Sequence, residues 1–221
     1  MNAPPLPARS ISLTLPRDPR VGENQPVSLR FALLALLTAR PMTGYDLAKA
    51  FHSSVGHVWH APDSQIYPEL RRMEADLLLS GEVTQRGTRS KTLYSITESG
   101  VEAFRAWMAE PLVYALERDP MHLRAAYFEW TDAERAVEQL LAHRDHYEAL
   151  REQWQGQLDA IRDHTHPIVA HRLTVFPPGE WTRIVEFKAF TYEGLVGRAA
   201  LEIAWAERGL RLVERLVESG A

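Results

Sequence analysis

The stretch SQIYPELRRMEADLLL, residues 64–79, decides the fold. Its large apolar side chains recur at helical spacing and fall on one narrow stripe, which comprises Ile66, Leu70, Met73 and Leu77. Pro68 suits a helix that begins near Ser64 or Gln65, because few backbone donors have partners in a first turn. The sequence therefore predicts a helix from Ser64 to Leu79 that buries this stripe. The outward and flanking side chains are Ser64, Gln65, Tyr67, Pro68, Arg71, Arg72 and Ala75.

Two further helices are predicted before this one. Ser28 is a candidate N-cap for an apolar helix over 29–38, which must stop before Pro41. Thr43, with Asp46 three residues later, resembles a capping box and predicts the start of a short second helix. The buried face of that second helix is expected to comprise Leu47, Ala48 and Phe51.

A β-hairpin is predicted after the third helix. Its strands cover residues 82–86 and 92–96, and its tip holds Gly87, Arg89, Ser90 and Lys91. Thr97 then caps a fourth helix that ends before Pro111. Three helices followed by a basic hairpin are the order of a winged helix-turn-helix module. In such a module a short helix enters the major groove of DNA and the cations of the hairpin contact phosphates.

The candidate DNA-binding residues lie on the third helix and on the hairpin. Arg71 and Arg72 offer forked donors suited to guanine edges or phosphate oxygens. On the same helix, Ser64, Gln65 and Tyr67 can form hydrogen bonds with either. The candidate phosphate contacts of the hairpin are Arg86, Arg89 and Lys91. Charge alone would equally indicate a solvated surface, but the order of the elements favours DNA binding.

The second half of the chain is predicted to be helical. Asp119-Pro120 is typical of a helix start, and Thr131-x-x-Glu134 is a capping box before a helix of about 30 residues. The apolar column of that helix comprises Leu140, Tyr147, Trp154 and Ile161.

The last segment, residues 180–218, has unbroken 4-3 apolar spacing, which is typical of a helix packed along a partner helix. At 1.5 Å per residue this helix would be about 58 Å long, more than a domain of this size needs internally. The sequence therefore predicts that the seam pairs two copies of the chain. The predicted dimer interface comprises Val185, Ala189, Tyr192, Val196, Ala199, Ile203, Ala206, Leu210, Val213 and Val217.

Composition bounds the class of protein. The 221 residues suffice for one large or two modest domains, and 45% hydrophobic with 24% charged residues is ordinary globular usage. The longest apolar run, residues 31–37, is too short to span a membrane. There is no cysteine, so disulfides and thiolate metal sites are excluded. The N-terminus does not resemble a secretory signal, so the expected location is the cytoplasm.

Proline content and charge divide the chain. Residues 1–27 hold six of the 14 prolines and are expected to form a disordered arm. Residues 1–109 carry 12 Lys/Arg against 10 Asp/Glu, whereas residues 110–221 carry 13 against 19. We therefore expect a mainly α protein with two domains. A winged helix-turn-helix domain with a small β-hairpin covers 28–109, and a helical dimerisation and possible effector domain covers 110–221.

Four segments of the first half match a known pattern: PMTGYDL (41–47), SVGHVW (54–59), QIYPELRRME (65–74) and LYSITESG (93–100). Together they resemble the PadR family of bacterial transcriptional regulators, and the helical second half resembles the longer, virulence-activator-like branch of that family in layout. The resemblance implies a homodimeric DNA-binding regulator, with paired C-terminal helices and a possible response to a small molecule. It places Gln65, Tyr67, Arg71, Arg89 and Lys91 where members of the family meet DNA.

Other functions have weaker support in the sequence. No nucleophile motif or phosphate loop is present, so neither an enzyme nor a cofactor is expected. Histidines spaced by three, His57 with His60 and His143 with His146, are too weak a signal to predict a metal site. Aromatic residues of the helical half form either core or a pocket for a small aromatic effector. A winged-helix protein-assembly module without DNA contact is the alternative function.

Overall fold

A computed structural model of the chain describes residues 27–53, 61–86, 89–112 and 118–219. The predicted N-terminal arm lies outside these ranges except for its last residue, and so do His57, His60 and the tip residues Gly87 and Thr88. Within the ranges, five side chains fall outside the description, those of Val27, Ser28, Gln85, Arg86 and Arg89.

The first half combines four helices with a small sheet. Its elements in chain order are α1 Val27–Leu37, β1 Met42–Thr43, α2 Gly44–Ser53, α3 Asp63–Ala75, β2 Leu79–Arg86, β3 Arg89–Ile96 and α4 Glu98–Ala109. The three strands form an antiparallel sheet in the order β1-β3-β2, and the long hairpin β2-β3 is the wing. The predicted winged helix-turn-helix is therefore confirmed, with a longer hairpin than expected and an additional strand, β1.

Local capping sets several of these boundaries. The Thr43 hydroxyl accepts from the Asp46 backbone N–H at 3.2 Å, so Thr43 caps α2 as predicted. The Asp46 carboxylate accepts from the same hydroxyl at 2.7 Å, rather than from the Thr43 backbone N–H as in a full capping box. Thr97 accepts from the Gly100 N–H at 3.1 Å and caps α4 as predicted. The predicted start of α1 is two residues too late, because this helix begins at Val27 and therefore includes Ser28, the predicted N-cap.

The C-terminal end of α3 differs from the prediction. Ile66, Leu70 and Met73 are fully buried as expected, but the helix ends at Ala75 rather than Leu79 and Leu77 is 73% exposed. The Leu77 N–H bonds to the Glu74 carbonyl and the Leu78 N–H to the Met73 carbonyl, which is a Schellman ending. Leu77 occupies its left-handed position, with φ of 59°, and so points away from the core.

The start of α3 also lies earlier than predicted. The helix begins at Asp63, after Pro62, so Pro68 is its sixth residue and lies beyond the first turn. The prediction that Pro68 lies in or close to the first turn is therefore wrong. Pro68 has no N–H to give to the carbonyl of Ser64. Ser64 is exposed, so solvent can satisfy that carbonyl.

The second half is helical, as predicted. Its elements are α5 Pro120–Ala125, a short 3₁₀ helix Phe128–Trp130, α6 Ala133–Arg162, α7 Pro167–Val175 and α8 Pro178–Ser219. Asp119 caps α5 by accepting from the His122 N–H at 3.0 Å, as expected. The predicted capping box at Thr131 is wrong, because Asp132 is the N-cap of α6 and accepts from the Arg135 N–H at 2.8 Å. Helix α7 was not predicted.

Helix α8 folds back along α6 of the same chain. His143 of α6 pairs with Glu202 at 3.1 Å and Arg162 pairs with Glu193 at 2.5 Å, so the two helices run antiparallel. The predicted dimer seam is therefore contradicted over most of its length, because α6 and α7 already cover it. Six of its residues are buried within the single chain, namely Val185, Ala189, Tyr192, Ala199, Ile203 and Ala206. Val196 is partly buried in the same core, Leu210 and Val213 are half-buried, and Val217 is exposed.

None of the described helices combines the length and apolarity that crossing a membrane requires.

Candidate nucleic-acid interface

The candidate DNA-binding residues of α3 share one face of the helix. Ser64, Gln65, Arg71 and Arg72 are exposed and Tyr67 is 39% exposed. The opposite face contributes only fully buried apolar side chains to the core of the first half. The structure therefore brings these five predicted residues together on the solvent side of a firmly packed helix.

Tyr67 joins α3 to the start of α2. A Cβ added at Gly44 would lie 3.0 Å from Cε1 of Tyr67, which is closer than ordinary packing allows. The aromatic ring therefore lies directly on the α2 backbone. This contact holds Tyr67 at the edge of the exposed face, with 39% of its surface exposed.

A charged network missed by the sequence analysis fixes the back of α3. The Glu69 side chain is only 7% exposed, and it accepts a hydrogen bond from the Arg30 Nε at 2.8 Å. It also pairs with the exposed Arg72 at 3.3 Å, while Arg30 reaches Asp76 at 2.7 Å. On the helical wheel Glu69 lies beside the apolar stripe, and this position was the signal in the sequence from which its burial could have been predicted. The network ties the candidate DNA-contacting helix to α1.

The wing is anchored to α3 at its base. A Cβ at Gly81 would lie 2.3 Å from the Glu74 Oε1 and 2.9 Å from the Thr92 methyl, so any larger residue here would have to displace these two side chains. Lys91 is exposed on β3 opposite Thr84, whose hydroxyl donates to the Lys91 carbonyl at 3.1 Å. Arg86 and Arg89 face each other at the end of the hairpin, although the structure does not describe their side chains.

The charge of Arg71 affects the pKa of Tyr94 on β3. Burial, and then the nearby Glu74 carboxylate, raise the pKa of the Tyr94 hydroxyl, whereas Arg71 acts in the opposite direction. The Arg71 side chain of α3 is therefore near enough to β3 for its charge to act on the Tyr94 hydroxyl.

Two histidines of the second half, His122 and His143, lie against carboxylates. His143 and Glu202 are largely buried, and His122 pairs with Asp119 at 2.8 Å and stacks on Trp205 with ring centroids 4.1 Å apart. The ion pair helps to hold the pKa of Asp119 low, after the larger contribution of the His122 backbone N–H. Over the described ranges, no group of three or more acidic or histidine side chains is arranged to hold a metal ion.

A cavity of about 400 Å³ lies where the two halves meet. Its walls come from α1, α4, α7 and α8, and they include Leu36, Phe104, Ile168 and Ile184. Two cationic side chains, Arg172 of α7 and Lys188 of α8, also line it. The sequence analysis missed this site because its walls are far apart in the chain.

Residues 33–106 match the model of the transcriptional regulator PadR-like family, which confirms the predicted resemblance over that segment. The negative transcriptional regulator PadR of Bacillus subtilis is 35% identical over 81 residues, which cover 36% of this chain and 44% of that protein. A probable transcriptional regulator of Mycobacterium tuberculosis is 38% identical over 87 residues, 39% of this chain and 46% of that protein. The chain thus spans less than half the length of the curated relatives it matches.

Solved structures show the same fold over most of the chain. Bacillus subtilis PadR in complex with operator DNA has a TM-score of 0.65 at 22% identity, covering 84% of this chain and 98% of that one. The Vibrio cholerae virulence activator AphA has a TM-score of 0.63 at 24% identity, covering 86% and 99%. Bacillus subtilis PadR with p-coumaric acid has a TM-score of 0.63 at 20% identity, covering 84% and 95%. The family is one of regulators, in agreement with the expectation that the chain is not an enzyme.

Proposed function

We propose that this chain, whose residues 33–106 match the PadR-like family of transcriptional regulators, is a sequence-specific DNA-binding regulator of transcription. The observation that carries the proposal is the face of α3, where five polar or cationic side chains project from a helix with a fully buried back. Such a helix fits the major groove of B-DNA. A role on DNA also supports the proposed cytoplasmic location.

Each candidate residue has a separate role in this proposal. Arg71 reads a base edge, because it is exposed and no ion pair of the described residues engages it. Arg72 contacts phosphate, since its pairing with Glu69 leaves less of its guanidinium for a base. Ser64, Gln65 and Tyr67 supply hydrogen bonds at the start of the helix. The wing residues Arg86, Arg89 and Lys91 bind phosphates beside the groove.

Selection of bound duplexes from a random pool tests this function, followed by gel-shift titration on the selected operator. Arg71→Ala should weaken operator binding by about 1–3 kcal/mol, roughly 5- to 150-fold, and relax the preference at one base position. Arg89→Ala should instead weaken binding to all sequences and reduce the salt slope by about 1. Arg151→Ala, an exposed arginine of α6, is the control and should bind normally.

Two outcomes would contradict the proposal. If neither Arg71→Ala nor Arg89→Ala alters operator affinity, α3 and the wing are not the DNA interface. If the parent protein ignores DNA even at low salt, the alternative of a winged-helix assembly module is favoured.

The regulator acts as a homodimer on a palindromic or nearly palindromic operator in this proposal. Because α6 covers the predicted seam, the second copy instead occupies an open groove of about 970 Å³ between α5, the start of α6 and the end of α8. Leu212 and Leu216 line this groove and remain exposed. Three further exposed apolar residues directly adjoin lining residues in the chain, namely Leu123, Tyr127 and Trp130. An exposed apolar patch of this kind is typical of an interface.

Light scattering tests the dimer. Leu216→Ser combined with Trp130→Ser should shift the protein towards the monomer and weaken operator binding, whereas Val175→Ser, an exposed apolar residue of α7, should change neither. A double variant that remains dimeric would remove the groove from the interface.

We further propose that the regulator represses transcription and responds to a small aromatic effector. Repression is supported by the Bacillus subtilis relative, which is described as a negative regulator, and the effector by the structure of that relative with p-coumaric acid. The cavity between the two halves has the volume of a small aromatic molecule and apolar walls. An effector in this cavity contacts both halves and can therefore alter the position of one half relative to the other.

A further inference from the structure

Two side chains of α7, one helical turn apart, contact the first half of the protein. Ile168 packs against the apolar core of that half. The Nη2 of Arg172 donates to the Ala35 carbonyl at 3.0 Å and to the Thr38 hydroxyl, both at the C-terminal end of α1. A spacing of four residues puts Ile168 and Arg172 on the same face of α7. This face therefore makes one apolar and one directed polar contact with the first half.

The Ala35 carbonyl is not satisfied by the backbone of its own helix. The N–H groups of Thr38 and Ala39, which follow it by three and four residues, donate to other carbonyls of α1. The Thr38 hydroxyl donates to it at 2.7 Å. Carbonyls at the end of a helix lack helical partners and favour a nearby cation. Arg172 therefore completes the end of α1 from the other half of the protein.

The contact of Arg172 is directional. A guanidinium holds its donors in a rigid planar fork, and a hydrogen bond weakens steeply when its angle departs from the optimum. The same guanidinium lies over the Phe176 ring, 5.7 Å from the ring centroid, at the end of α7. Burial lowers the pKa of Arg172, so solvent competes little for its donors. An apolar contact such as that of Ile168 tolerates sliding, whereas the contact of Arg172 does not.

The other end of α1 is joined to α3. Arg30 donates to the Glu69 carboxylate at 2.8 Å and pairs with Asp76 at 2.7 Å. A helix of 11 residues carries a change of orientation from one end to the other. A connected path therefore runs from α7 through α1 to the candidate DNA-contacting helix.

We propose that Arg172 is a positioning residue that fixes the orientation of α3 relative to the second half, and that it thereby sets the half-site spacing that the regulator accepts. This inference rests on the proposed function and adds a specificity determinant remote from the DNA. In a symmetric dimer joined through the second halves, the orientation of each first half decides the separation of the two α3 helices.

The geometry of DNA makes this separation a stringent variable. One base pair more or less between the half-sites moves one of them by about 3.4 Å along the duplex and turns it by about 35°. Both subunits must then reorient their α3 helices to engage both half-sites. The directed contact of Arg172 resists this reorientation, while the apolar contact of Ile168 alone allows it.

Gel-shift titration on operators of different spacing tests this role. The selected operator is compared with versions that have one base pair added or removed between unchanged half-sites. The parent should bind the altered versions at least about tenfold more weakly, because simultaneous engagement of both half-sites is lost. In Arg172→Met, which has no donor, this ratio should fall below about threefold. Arg198→Met, at an exposed cation of α8, is the control and should keep the parent's ratio.

Thr38 variants test the same contact from α1. Thr38→Val removes one of the two acceptors, so its ratio should lie between those of the parent and Arg172→Met, whereas Thr38→Ser should behave as the parent. Mere loss of stability weakens binding to all operators equally and leaves the ratio unchanged. The positioning role is overturned if Arg172→Met keeps the parent's ratio, or if the parent binds all three spacings equally. If Arg172→Met does not fold, Thr38→Val decides in the same way.

A distance measurement without DNA provides a second readout. The chain has no cysteine, so Ala75→Cys with Glu152→Cys places two spin labels at exposed positions of α3 and α6. Double electron–electron resonance on labelled full-length chain, diluted with unlabelled chain, should give a distance distribution at least about 1.5-fold broader in Arg172→Met than in the parent. Equal widths would contradict the proposal. Because this measurement needs no operator, failure of the inference is distinct from failure of DNA binding, which the parent's titration reports.

Discussion

Glu69 is the most informative single position for the stability of the first half of the chain. Its side chain is 7% exposed and accepts a hydrogen bond from the Arg30 Nε at 2.8 Å. Its contact with Arg72 is longer, at 3.3 Å, and the Arg72 side chain is 69% exposed. Breaking a fully buried ion pair costs about 3–5 kcal/mol. Arg30 is 29% exposed and keeps Asp76 at 2.7 Å, so it is not left without a partner. We therefore expect Glu69→Gln to lower the free energy of unfolding by about 2 kcal/mol and Glu69→Ala by about 3 kcal/mol.

Urea unfolding with a double-mutant cycle measures the pairing itself. The coupling energy of Glu69→Gln with Arg30→Met should be about 1–2 kcal/mol, as for a partly buried charged hydrogen bond. The matched cycle with Arg72→Met should give at most about 0.5 kcal/mol, because an exposed pair contributes little. The reasoning is refuted if the Arg30 cycle gives less than about 0.5 kcal/mol, or if the two cycles give equal values.

Three further predictions concern stability. Leu77→Gly should raise the free energy of unfolding by about 0.5–1 kcal/mol, seen as a higher urea midpoint at constant slope, because leucine is strained at a φ of 59° and its side chain is largely exposed. Gly100→Ala should lower the free energy of unfolding by at least about 2 kcal/mol, since the added Cβ would lie 2.2 Å from the Leu78 carbonyl oxygen. A Cβ at Gly194 would meet nothing within 4 Å, so Gly194→Ala should raise the free energy of unfolding by about 0.5–1 kcal/mol in the same assay. Lys188 has a pKa of about 8 in the folded protein against 10.5 in the unfolded chain, so the unfolded state binds more protons between these pH values and the free energy of unfolding should rise with pH across them. Urea titrations at each pH measure this rise, and Lys188→Met should abolish the part that Lys188 contributes. An unchanged rise in the variant would contradict the prediction.

Local patterns predicted the first half well. The stripe of Ile66, Leu70 and Met73 is set by helical periodicity, and the capping of α2 and α4 by Thr43 and Thr97 depends on residues three positions apart. The error at Leu77 has a local cause as well. Its spacing fits the buried stripe of α3, but the helix ends at its C-cap, Asp76, one residue before Leu77. At α6, Thr131 and Asp132 are both good caps, and spacing does not choose between neighbours.

Contacts between distant segments could not be predicted in this way. The 4-3 spacing of α8 shows that one face is covered by a helix, but it carries no information about which chain supplies that helix. The apolar column of α6 provides the partner within the same molecule: a Cβ at Gly209 of α8 would lie 2.8 Å from the Leu140 side chain. The link between Arg172 and Thr38 joins residues 134 positions apart, and no local signal marks it.

The antiparallel pairing of α6 and α8 has a consequence for assembly. Because each C-terminal half supplies both sides of its own helical core, a subunit can complete this core before it meets another, and separation of two subunits leaves it intact. Protein concentration should then have little influence on the temperature at which this half melts, in contrast to an obligate dimer whose folding obeys mass action. In the proposed dimer, subunits should likewise exchange without unfolding, so a mixture of two tagged forms would equilibrate at the rate of dissociation alone.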